Sequence, residues 1–132
     1  MVVGEIMIVA GIGCRKGVST AEVIAAIEAA LEGHGLTPVA LSLMATARIK
    51  GGEAGIIAAG AQLNLPVILV DDGVIKEMSV LSHSDLSLSL AGTPSVSEAA
   101  ALAAAGKGAR LAGPRTVVGP ATCAIAFGGD DA

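Results

Sequence analysis

A strand-like apolar run that leads through a glycine-rich loop into a helix start is the feature that most constrains this fold. Residues 6–10 are all apolar, as expected of a strand buried on both faces. The loop, residues 11–17, carries glycines, a thiol and two cations. Ser19 and Glu22 have the spacing of a capping box, and Gly33 marks the predicted end of the helix. The sequence therefore predicts a β-loop-α unit whose loop binds an anion.

The rest of the chain continues this alternation of strands and helices. Helices are predicted after Glu53 and over residues 95–105, the second opened by Ser95 and Glu98 at capping-box spacing. Further strands are predicted at residues 38–44, 65–70, 109–112 and 122–127. Residues 73–90 fit both a helix and, in their second half, an alternating strand.

These elements predict a single α/β domain over residues 1–132. Buried-type strands alternating with helices indicate three layers, α/β/α, around a mostly parallel or mixed sheet of about five strands. The polar end, residues 128–132, is expected to fray.

Composition argues against several classes of function. No apolar run reaches the ~20 residues of a membrane span. The net charge is −4 and Phe127 is the single aromatic residue, so neither a basic face nor a stacking platform for nucleic acid is expected. Two cysteines, Cys14 and Cys123, and the lack of a basic residue before the first apolar run predict a cytoplasmic protein.

The loop chemistry leaves several hypotheses open. Its glycine spacing is one residue too long for a dinucleotide fingerprint, and Lys16 lacks the glycine spacing of a Walker loop. Cys14, beside Arg15 and Lys16 at a helix start, is a weak candidate for a reactive thiol, and a small residue packed under a tight turn is the alternative. His34 and His83 are expected in solvent, and no metal-ligand spacing exists, so neither metal nor cofactor is expected.

Residues 11–17 (GIGCRKG) and residues 92–101 (GTPSVSEAAA) form two long motifs. They resemble the opening and the second signature of the CobE and CbiG C-terminal domain family of cobalamin biosynthesis. Shorter matches lie between and after them, at Lys50, Glu53, Gly55 and residues 65–66 and 124–126. Residues 73–89 have no clear counterpart. Arg115 stands where a lysine is expected, which keeps a cation but changes its geometry.

The resemblance implies a role in handling tetrapyrroles. In fused family members the domain accompanies an enzyme that opens a lactone ring on a cobalt-precorrin, and the length of this chain leaves no room for that region. The expected function is therefore that of the stand-alone aerobic-pathway member, which binds carboxylate-rich precorrin or corrin intermediates and hands them on to other enzymes of the pathway. The alternative is an enzyme of the same pathway, either a lactone-opening hydrolase or a thiol-dependent catalyst that uses Cys14.

Loops that leave the carboxyl ends of parallel strands gather at one edge of a sheet, so we expect both signatures to meet there. Their cations, backbone N–H groups and helix starts are suited to carboxylates. The predicted ligand-binding residues are Gly11, Gly13, Cys14, Arg15, Lys16, Gly17, Ser19, Lys50, Glu53, Thr93, Ser95, Val96, Ser97 and Glu98.

Overall fold

The computed structural model describes residues 7–48, 52–75, 96–106, 108–113 and 115–128. Within them, six strands form one mixed sheet in the order β3-β2-β1-β6-β4, with β5 also paired to β6. β1, β2 and β3 are parallel, whereas β6 is antiparallel to β1, β4 and β5. The strands are β1 (Ile8–Cys14), β2 (Leu43–Ala47), β3 (Val67–Val70), β4 (Arg110–Leu111), β5 (Thr116–Val118) and β6 (Ala121–Phe127).

Helices cover both faces of this sheet. α1 (Thr20–Gly33) and α2 (Ala54–Leu63) pack against each other, and α3 (Val96–Ala105) packs against β1, β2 and β6. One buried cluster joins α1 and α2 to alternate residues of β1 and β6. A second cluster joins α3 to the intervening residues of the same strands. Because side chains alternate across a strand, the two clusters lie on opposite faces, and the predicted three-layer α/β/α architecture is confirmed.

The first helix begins as the sequence predicts. The Glu22 N–H donates to Ser19 Oγ at 3.1 Å, and the Ser19 N–H donates to Glu22 Oε1 at 2.9 Å. This reciprocal capping box satisfies two backbone donors that the first turn leaves without a helical partner.

The predicted loop over residues 11–17 is wrong in its first half. Residues 11–14 complete β1, because β6 pairs with β1 from Ile8↔Phe127 to Cys14↔Ala121. A Cβ on Gly11 would overlap the Ser97 carbonyl oxygen and lie 2.7 Å from the Ala101 Cβ. Gly11 therefore allows α3 to approach the centre of the sheet closely, and the turn itself is limited to residues 15–19.

The second predicted strand is also misplaced. Residues Pro38–Ala40 form a short 3₁₀ helix, and the strand begins only at Leu43. Pro38 has no N–H to donate to a ladder, and Val39 is 93% exposed, which does not suit a central strand. The third strand begins at Val67 rather than at residue 65.

The sheet has six strands rather than about five because β5 was not predicted. It forms a tight hairpin with β6 through Gly119, whose φ is +57°, and Pro120. Residues 72–75 are helical, and the remainder of the ambiguous stretch at 73–90 lies outside the described residues. So do residues 129–132 of the expected frayed end. No helix in the described part of the chain is long and apolar enough to cross a membrane.

Candidate functional site

The sheet reverses its strand order beside the carboxyl end of β1. From β1 the chain adds β2 and then β3 on one side, and it returns to place β6 on the other. In open α/β sheets, such a switch point next to the carboxyl ends of the strands is the usual place for a ligand. A pocket of about 400 Å³ lies at this position, within the ~300–1,000 Å³ typical of small-molecule sites.

The pocket lies between the end of β1, the start of α3 and the β5–β6 hairpin. Two of its lining residues are hydrogen-bonded to each other: the Thr122 hydroxyl donates to the Gly13 carbonyl oxygen at 3.2 Å. A Cβ on Gly13 would lie 2.7 Å from that hydroxyl, so glycine makes room for it. The lining residues are Gly13, Cys14, Arg15, Val96, Ser97, Arg115, Val117, Gly119, Pro120 and Thr122.

The pocket is amphipathic. Arg15 and Arg115 supply two positive charges, and both residues are exposed. Two apolar side chains, Val96 and Val117, also line it and are 41% and 60% exposed. Guanidinium groups bind carboxylates through paired N–H donors, while exposed valines favour an apolar surface. This arrangement suits a ligand with an apolar body and an anionic edge.

Three backbone N–H groups of the turn after β1 are held by acceptors within the chain. The Gly17 N–H donates to Glu53 Oε1 at 3.1 Å, and the Arg15 N–H donates to the Pro120 carbonyl oxygen at 2.9 Å. The Ser19 N–H is already held in the capping box. We expected these backbone groups to meet a ligand, but they have acceptors within the chain. The exposed side chains of Arg15 and Lys16 remain for that role.

Arg115 is held by a buried carboxylate at the start of α3. Glu98 is only 3% exposed, and its Oε2 accepts from the Arg115 N–H at 3.2 Å. Its Oε1 lies 3.7 Å from Arg115 Nη1. Glu98 was predicted to contact a ligand; in the structure its carboxylate lies against the chain's own arginine.

The two cysteines differ in environment, and neither is in a disulfide. Cys123 is buried in β6, and burial raises its pKa from 9.0 to about 12, so its thiol stays protonated and unreactive at neutral pH. Cys14 packs against the same core cluster as Ala10 and Ile12, on the α1 face of β1. Because Gly13 faces α3, we infer that Cys14 borders the pocket with its main chain.

The chain matches the family model described as cobalamin synthesis G C-terminus over residues 8–126. The chain belongs to the CobE/CbiG family of cobalamin biosynthesis. Protein CobE of Sinorhizobium sp. is 34% identical over 121 residues, which cover 90% of this chain and 79% of that protein.

Two crystal structures of the CobE/CbiG family share the fold. Cobalamin biosynthesis protein chiG from Agrobacterium tumefaciens str. C58 has a TM-score of 0.80 and 44% identity, and the match covers 94% of this chain and 100% of that one. CobE, a protein from the cobalamin (vitamin B12) biosynthetic pathway, has a TM-score of 0.78 and 30% identity, covering 92% of this chain and 90% of that one. The resemblance drawn from the two signatures is thus confirmed.

Both family signatures meet at the pocket, as expected for residues that share one edge of the sheet. Gly13 and Arg15 of the first signature lie with Val96 and Ser97 of the second. Gly11, also in the first signature, is not among the lining residues and packs against α3. The adjoining turn contains three more of the predicted residues, Lys16, Gly17 and Ser19, and Glu53 accepts a hydrogen bond from the Gly17 N–H of that turn. Three others lie outside the described residues: Lys50, Thr93 and Ser95.

Sequence reasoning missed the hairpin side of the site. Val117, Gly119, Pro120 and Thr122 line the pocket but were not predicted to bind a ligand. Arg115 was not among the predicted ligand-binding residues, although the cation expected at its position was a signal for this side of the site. Among the described residues, no group of three or more His, Cys, Asp or Glu side chains is placed to hold a metal ion.

Proposed function

We propose that this CobE/CbiG family protein binds carboxylate-rich tetrapyrrole intermediates of cobalamin biosynthesis and hands them on. The observation that carries the proposal is the pairing of Arg15 and Arg115 with Val96 and Val117 in one pocket. Precorrins and corrins have a largely apolar macrocycle edged with carboxylates. The arginines would bind those carboxylates, and the valines would pack against the adjoining ring.

The size of the pocket supports transfer rather than enclosure. At about 400 Å³ it accepts an edge of a tetrapyrrole and leaves the rest of the macrocycle outside. A pigment held by one edge remains accessible to the next enzyme of the pathway. We therefore expect another cobalamin-biosynthesis enzyme to act as the recipient.

The charged groups of the pocket also favour binding over chemistry. A guanidinium offers only hydrogen-bond donors and no acceptor, so Arg15 and Arg115 are suited to binding carboxylates rather than to general-base chemistry. The placement of Cys14 on the α1 face argues against its use as the nucleophile. We place the protein in the cytoplasm because a reducing compartment keeps partly exposed thiols such as Cys14 out of disulfides.

Mixing the protein with a purified pathway intermediate tests this function. A shifted visible spectrum with the pigment recovered at unchanged mass supports binding. A new pigment mass would instead assign turnover, and an unshifted spectrum together with free passage of the pigment in equilibrium dialysis would overturn the proposal.

A further inference from the structure

The start of α3 places a buried carboxylate directly behind one wall of the pocket. Glu98 contacts Arg115 twice, through the backbone N–H at 3.2 Å and through Nη1 at 3.7 Å. The Arg115 side chain remains 46% exposed. One residue thus fixes both the chain position and the side-chain direction of a cation that faces the ligand site.

The two contacts differ in kind. The backbone contact has the length of a hydrogen bond, whereas 3.7 Å between Nη1 and Oε1 is too long for one. The carboxylate therefore fixes the main chain of Arg115 firmly and steers the guanidinium by charge alone. Since a guanidinium carries five N–H donors, this steering leaves donors available for a ligand carboxylate.

Such an arrangement lowers the cost of binding. A free arginine side chain loses rotamer entropy when it is fixed. An arginine that is already held at the rim loses less on ligand binding, which is the general advantage of preorganisation. Glu98, buried on a helix that packs against the central strands, is a rigid anchor for this purpose.

We propose that Glu98 is a positioning residue that holds Arg115 at the pocket rim in the orientation that accepts a ligand carboxylate. This inference rests on the proposed function, in which the pocket binds a polycarboxylate tetrapyrrole. It assigns to Glu98 an indirect role through Arg115 rather than contact with the ligand.

The test separates the acceptor of Glu98 from its charge. Glu98→Gln keeps an oxygen that accepts from the Arg115 N–H and loses the charge, while Glu98→Met keeps the approximate shape and loses both. The probe is cobyrinic acid, a polycarboxylate corrin, and cobinamide, its amide counterpart, is the matched control ligand. Binding is measured by equilibrium dialysis, and folding is checked by circular dichroism.

We expect Glu98→Gln to bind cobyrinic acid within about threefold of the unmodified protein. The contact that places the Arg115 main chain is kept, and the loss of charge steering is offset by the removal of a negative charge near the ligand carboxylate. Glu98→Met should weaken binding about tenfold, the effect of one misplaced charge-assisted contact. In an Arg115→Gln background, Glu98→Met should weaken cobyrinic acid binding by less than about a further twofold, since the cation that Glu98 positions is gone. Glu28→Met, at an exposed position on α1, controls for removal of a remote charge.

Equal losses in Glu98→Gln and Glu98→Met would overturn the proposal, and so would a Glu98→Met loss that is undiminished without Arg115. If Glu98→Met does not fold, hydrogen exchange of the Arg115 amide tests instead whether Glu98 holds this residue. The Arg115 N–H should exchange slowly in the unmodified protein and in Glu98→Gln, and unprotected exchange in the unmodified protein contradicts a positioning contact. Failure of the unmodified protein to bind cobyrinic acid would count against the proposed function, and the exchange measurement would still judge the role of Glu98.

Discussion

Replacing Gly11 by alanine tests how α3 is seated on the sheet. An added Cβ would overlap the Ser97 carbonyl oxygen and lie 2.7 Å from both the backbone nitrogen and the Cβ of Ala101. Ser97 O and Ala101 N are main-chain atoms of α3, so no side-chain rotation relieves the overlap and the helix itself must move. Overpacking of this kind costs about 3 kcal/mol, the upper part of the usual range, which lowers Tm by about 10 °C for a chain of this size.

Denaturant unfolding followed by circular dichroism measures this loss, because the chain lacks Trp and Tyr for fluorescence. Gly33→Ala is the matched control: Gly33 ends α1 without a positive φ, and nothing lies within 4 Å of its added Cβ. That control should gain up to about 1 kcal/mol from helix propensity. A Gly11→Ala variant within about 0.5 kcal/mol of the unmodified protein would refute the close approach of α3.

Three further outcomes are expected. Arg15→Ala with Lys16→Ala should weaken pigment binding by about 1.5–3 kcal/mol per lost contact in dialysis and leave Tm nearly unchanged. The control pair, Lys107→Ala with Arg110→Ala, lies outside both signatures, with Arg110 at the opposite edge of the sheet, and should have a smaller effect. Equal losses from both pairs would indicate diffuse attraction. Cys14→Ala should keep binding within a few-fold; complete loss in a folded variant would make the thiol essential. Burial raises the pKa of Cys123 from 9.0 to about 12, so the thiol of the unfolded chain loses its proton at lower pH than the thiol of the folded protein. The free energy of unfolding should therefore fall by up to about 1.4 kcal/mol per pH unit from about pH 9 to 12. Denaturation measured across this pH range should show that Cys123→Ala lacks this contribution.

Local sequence rules predicted the elements whose cause is local. The capping box at Ser19 and Glu22 opens α1 in the structure as in the sequence, since both partners lie within one helical turn. Gly11 was misinterpreted as part of an anion-binding loop because its real neighbours, Ser97 and Ala101, are distant in sequence. A glycine required by a loop and one required by a packed helix look the same in a single sequence.

The candidate site shows the same division. The meeting of the two signatures was predictable from the rule that loops after parallel strands gather at one edge. The part of the pocket formed by the β5–β6 hairpin was not predictable, because β5 is only three residues long and its pairing with β6 depends on the turn at Gly119. The sequence also could not predict the hydrogen-bond partners of Glu53 and Glu98, since each carboxylate accepts from a backbone N–H that is distant in the sequence.

The central claim is that polycarboxylate tetrapyrroles bind at the pocket between β1, α3 and the β5–β6 hairpin. Titration of ¹⁵N-labelled protein with cobyrinic acid, followed through backbone amide resonances, tests it most directly. The account predicts saturable shifts at Gly13, Arg15, Ser97, Arg115 and Thr122, and little change with cobinamide. Shifts confined to the opposite edge, around Arg110 and Phe127, or equal responses to both corrins, would contradict it.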